Sequence, residues 1–127
     1  MAFHSFEDLE VWKRGCRLAV DVCVGTHGWK NFGLKDQLQR SAISIPSNIA
    51  EGSERDSDGD FKRFLRISKG SCGELRTQLY IAKRVAEKLK SPDTELPESC
   101  ITETREISAM LQGLIKSIDT RQQDSEN

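Results

Sequence analysis

Gly33-Leu-Lys-Asp-Gln-Leu-Gln-Arg-Ser-Ala-Ile-Ser-Ile-Pro-Ser-Asn-Ile-Ala-Glu-Gly-Ser-Glu-Arg55 is the stretch that decides the fold. Leu38, Ala42, Ile45 and Ile49 recur at four- and three-residue steps, the apolar seam of an amphipathic helix over about 34–54. Beside that seam Gln37, Ser41, Ser44, Asn48 and Glu51 repeat at the same spacing, all polar. Pro46 falls in mid-helix, where a proline removes a backbone hydrogen bond and costs about 3 kcal/mol. A plain solvent-facing side would be filled with Lys, Glu and Gln. Small Ser and Asn residues at these steps imply a second packing or binding role.

Three more helical segments flank this one. The first spans about 6–24, opened by a capping box of Ser5 and Asp8, with a seam of Leu9, Trp12, Cys16, Ala19 and Cys23. Gly25 and Gly28 end it, and the connection carries Trp29 and Phe32, which either plug one end of the core or form a contact surface. The third helix, about 58–90, starts at a capping box of Ser57 and Asp60 and is about 45–50 Å long. Leu65, Ser68, Cys72, Leu75, Leu79, Ala82, Ala86 and Leu89 step alternately by three and four, an unbroken heptad seam, and Ser91-Pro92-Asp93 stops it. A fourth helix begins near Pro97, with a seam of Thr104, Ile107, Leu111, Leu114 and Ile118. From Asp119 the chain turns polar and is expected to fray. The pattern specifies an all-α protein, an antiparallel up-and-down four-helix bundle in one domain over 1–127, with its ordered core at about 5–118 and a polar tail at 119–127.

Charged residues make up 31% of the chain and aromatics 6%, as in soluble helical proteins. The net charge of −1 conceals a segregation: residues 62–90 hold nine Lys/Arg against two Asp/Glu, and residues 91–127 hold three against eight. Such asymmetry predicts a basic face and an acidic end. Cys16, Cys23, Cys72 and Cys100 form no CxxC pair, and with two histidines there is no zinc-ligand spacing. Small core thiols of a reducing compartment are expected, with no metal and no cofactor. The N-terminal residues lack a clean apolar run and no stretch approaches the ~20 apolar residues of a membrane span, so a cytoplasmic protein without a membrane partner is expected.

The third helix has three sides. Besides the core seam, Phe64, Ile67, Ser71, Glu74, Gln78, Ile81 and Val85 form a strip that is apolar at its ends and polar in the middle. Two packing faces place the helix either between two neighbours of the bundle or across a subunit boundary. The polar middle suits the polar stripe of the second helix, with Arg40 offering a cation to Glu51 or Glu74. Gln37, Arg40, Ser44, Asn48, Glu51, Glu74 and Gln78 are then a buried network that fixes packing. The rival reading is a ligand or catalytic cleft on Gln37, Arg40, Asn48 and Glu51. No His or Cys joins that set, so no catalytic residue is assigned. The remaining side carries Lys62, Arg63, Arg66, Lys69, Arg76, Lys83, Arg84 and Lys90. These are either a solvated face or a surface for the backbone of RNA or DNA.

Phe6-Glu-Asp-Leu-Glu-Val-Trp12, Leu34-Lys-Asp-Gln-Leu-Gln-Arg40, Ser44-Ile-Pro-Ser-Asn-Ile-Ala-Glu-Gly52, Phe61-Lys-Arg-Phe-Leu65 and Gly70-Ser-Cys-Gly-Glu-Leu75 occur in that order. Over about 5–118 the chain resembles the four-helix bundle proteins encoded in intervening sequences of bacterial 23S ribosomal RNA genes. That group is related to the accessory variability proteins of diversity-generating retroelements. The resemblance implies a helical bundle assembled as a homopentameric ring with a central channel. Among the retroelement relatives it also implies binding of a reverse transcriptase and nucleic acid. Those relatives are strongly basic, whereas this chain is mildly acidic. The expected function is therefore a non-enzymatic, self-associating scaffold or accessory protein. Its partner is nucleic acid at the basic strip or, alternatively, another protein; a small molecule at Arg40, Asn48 and Glu51 is the third reading.

Overall fold

The structure, a computed structural model, describes residues 5–91 and 96–126, with side chains described as far as 124. A short 3-10 turn, Phe6–Asp8, leads into α1 (Glu10–Gly25), α2 (Phe32–Ser53), α3 (Asp58–Leu89) and α4 (Glu98–Glu126), with no strand among the described residues. Each helix packs on the next and α4 returns to α1, closing the four around one core. The cross-links run antiparallel throughout. Ser44 meets Ser71 while Gln37 meets Gln78, and Gly15 lies on Ile45 and Pro46 while Thr26 meets Gln39. The fold is the up-and-down four-helix bundle that the periodicities specify. No described helix is long and apolar enough to cross a membrane.

The α2 seam is as expected: Leu38, Ala42, Ile45 and Ile49 are wholly buried. The helix runs unbroken through Pro46, which is buried on the side facing α1. There Gly15 gives it room, since a Cβ on Gly15 would stand 3.3 Å from Ile45 and 3.5 Å from the Pro46 ring. The glycine of α1 and the proline of α2 are therefore one packing contact.

That contact explains a correction in α1. The side of α1 that enters the core is Val11, Gly15, Leu18, Ala19 and Val22, not the predicted line through Trp12, Cys16 and Cys23, which are only half-buried. Ser5 caps the short 3-10 turn, accepting from the Glu7 N–H at 3.1 Å rather than opening a long helix. Extended Leu9 then resets the start to Glu10, and Gly15, silent in a hydrophobic pattern, marks the closest approach. Cys72 and Cys100 are buried, all four cysteines are free, and burial pushes the Cys72 thiol up to about 12. Trp29 plugs the core at 3% exposure, whereas Phe32 opens α2 and is 74% exposed.

In α3 the heptad seam is buried from Leu65 to Ala86, but Leu89 is 69% exposed. Leu89 is the last residue of the helix, which Lys90 caps in the left-handed region at φ 52°, ψ 42°. The expected stop at Pro92-Asp93 lies outside the described residues. In α4 the seam passes through Ile115 rather than Leu114. The C-terminal residues do not fray at 119 but stay helical to Glu126. Asp119 and Arg121 hold that last stretch through ion pairs to Lys62 at 2.6 Å and Asp58 at 2.7 Å on α3.

Candidate functional site: the cation strip of α3

Ser57 caps α3 by accepting from the Asp60 N–H at 3.1 Å, and Asp58 and Asp60 place negative charge at the positive end of the helix dipole. From that start the heptad fixes which way each cation points. Lys62, Lys69, Arg76 and Lys83 stand seven residues apart, and their partners descend α4 at nearly the same spacing. Lys62 Nζ donates to Asp119 at 2.6 Å, Lys69 Nζ to Gln112 at 2.8 Å, Arg76 Nε to Thr104 at 3.0 Å and Lys83 Nζ to Glu98 at 3.0 Å. Thr104 is wholly buried and the Lys62 side chain is 15% exposed.

The expected basic strip is therefore two surfaces. Half of its residues form a ladder that docks α4, each with a donor already bonded to that helix. The charge segregation along the sequence becomes an internal complementarity, basic α3 against the acidic C-terminal segment. Replacing Lys62, Lys69 and Arg76 together by Gln is expected to destabilise the bundle by about 2–3 kcal/mol, read from urea melts. The other half stays outward. Arg63 lies 3.9 Å from Asp60 and stacks 4.6 Å above the Phe64 ring, and Arg66, Arg84 and Lys90 are exposed.

The polar stripe of α2 also resolves. Ser44 Oγ and Ser71 Oγ are 2.7 Å apart, and Asn48 Nδ2 donates to the Ser44 carbonyl at 2.8 Å and to its hydroxyl at 2.9 Å. Ser41 bonds the Gln37 carbonyl at 2.6 Å and Gln78, and Gln78 donates to Gln37 at 3.4 Å. Ser68, wholly buried, donates to the Ile45 carbonyl at 2.8 Å. This is a helix–helix seam whose groups satisfy one another. Arg40, Glu51 and Glu74 do not belong to it. Arg40 lies 3.8 Å from Asp36, Glu51 pairs with Arg55 at 3.1 Å, and Glu74 is exposed. Arg40 and Glu51 are both exposed, and the partner of each lies four residues away in sequence.

A link that sequence reasoning missed joins α1 to α4. Arg14 grips Glu103 with two N–H groups, Nε at 2.9 Å from Oε2 and Nη2 on Oε1, and lies 3.4 Å from Glu106. The hydrogen bond from Arg14 holds the Glu103 carboxyl below its ordinary range. A depressed carboxylate pKa contributes stability that is fully present above the unfolded value and is lost as pH falls through the folded one. Glu103→Gln should therefore cost about 1–2 kcal/mol at pH 7, with the difference from wild type shrinking toward zero in melts near pH 3.

The family model for 23S rRNA-intervening sequence proteins matches residues 7–113. A search of curated proteins returned no match.

Proposed function

The chain belongs to the 23S rRNA-intervening sequence protein family, and from that premise we propose a non-enzymatic, self-associating scaffold or accessory protein whose subunits meet across the outer face of α3. One observation carries this reading. In the middle of that face Gly70 and Gly73 have no atom within 4 Å of where a Cβ would stand, so nothing in the chain itself requires glycine there. Each costs the helix about 1 kcal/mol relative to alanine. A flat helix surface of that kind fits close approach by a neighbouring backbone. Ile67, 42% exposed, borders the same face. The ring implied by the family resemblance is a homopentamer.

Nucleic acid is the partner this reading favours. Arg63 and Arg66, near the start of α3, remain outside the α4 ladder, and a ring multiplies them into one field. Contact with a phosphate backbone releases counterions, so affinity should fall steeply with salt and vary little with sequence. The test is filter binding of a labelled RNA and a labelled DNA at 50 and 200 mM salt. Binding lost at the higher salt supports the reading. Binding that is absent, or flat with salt, removes nucleic acid from it and leaves protein–protein interaction as the role of the assembly.

A further inference from the structure

We propose that the last turns of α3 dock an acidic amphipathic helix of another protein. Ile81, Val85 and Leu89 stand four residues apart and form a single ridge, about 12 Å long. Ile81 is 48% exposed and Leu89 69%, and with Val85, Arg84 and Lys88 they line a shallow apolar depression of about 420 Å³. Heptad spacing assigns Leu89 to the core, yet the helix carries it past the end of the bundle into solvent, level with Ile81 on the same side.

The charges decide the occupant. Arg84 and Lys88 step by four along the row beside the ridge, Lys90 follows them, and none of the three pairs with a carboxylate among the described residues. A nucleic-acid backbone would satisfy those cations and leave the ridge wet. A partner helix with leucines at four-residue steps and glutamates beside them covers both rows at once. Such a helix needs about two turns or slightly more to span the ridge. This site goes beyond the assembly proposed above. It sits farther along α3 than Gly70 and Gly73, and its charges call for an acidic partner.

The test is fluorescence anisotropy on the full chain with a labelled synthetic helix of about four turns, leucine at every fourth position and glutamate flanking. A version with lysine for glutamate is the control. Saturable binding of the acidic peptide alone is expected. It should weaken at least about tenfold in Leu89→Ser and in Arg84→Glu/Lys88→Glu. Both variants should keep the wild-type helical melt and the wild-type mass. Three results overturn the proposal: no saturable binding, binding indifferent to Leu89→Ser, or a fall in mass in Leu89→Ser, which would make the ridge a contact between copies. Capture of labelled RNA or anionic vesicles in place of the peptide, sensitive to the charge reversal and not to Leu89→Ser, overturns it as well. A monomeric wild type that still binds the acidic peptide leaves this site standing while the assembly reading falls.

Discussion

Gly52→Ala is expected to destabilise the bundle by about 2–3 kcal/mol, a larger effect than its one added methyl would carry elsewhere on the chain. A Cβ at this position would lie 2.6 Å from the Phe64 Cβ, 3.2 Å from the Phe61 ring and 3.3 Å from the Phe61 carbonyl oxygen. The Phe64 Cβ and the Phe61 carbonyl are fixed by the backbone, so no rotamer change relieves the contact; α2 and α3 have to separate. Phe61 and Phe64 are both buried, and their separation from Gly52 loosens the turn that joins the two most extensively packed helices. The helix propensity gained by alanine, about 1 kcal/mol, offsets part of the cost. Thermal melts of the two proteins measure the difference, and an unchanged or raised midpoint would mean that this end of the bundle is not closely packed.

The second large effect concerns Gly70 and Gly73. Replacing both with Gln fills space that is empty within a single chain, so each subunit should hold its fold at least as well as wild type and gain helix propensity. The assembly should be lost entirely, because two long side chains project from the surface where a neighbouring backbone would approach. Stability and mass therefore move in opposite directions, which separates an assembly defect from misfolding. Light scattering and circular dichroism on one sample read both. A double variant that keeps the wild-type mass places the contact between subunits on another face.

The helices were legible because each carries a long periodic seam. The α2 line Leu38–Ile49 and the α3 line Leu65–Ala86 went to the core unaltered, and the Ser44–Asn48 part of the polar stripe meets α3 half-buried, as a packing seam. What misled was local. In α1 a glycine occupies a core position, and hydrophobic patterning cannot see a residue that packs by being small. At the C terminus polar composition looked like a free tail, whereas Asp119 and Arg121 are tied to α3. The cation strip held a signal that could have been found. Lys62 and Lys83 are 21 residues apart, and so are Glu98 and Asp119, a match of three heptads that marks two helices in antiparallel register. Reading charge as a message to an external partner concealed its use inside the bundle. The Arg14–Glu103 link carried no such period, since it bridges the first and last helices, and only the closing of the ring reveals it.

The measurement that tests the account most directly is sedimentation velocity of the wild-type chain over micromolar concentrations. Self-association across α3 predicts a species at a multiple of 14.3 kDa, with a five-chain ring as the mass that the family resemblance implies. A single 14.3 kDa species at every concentration would contradict it.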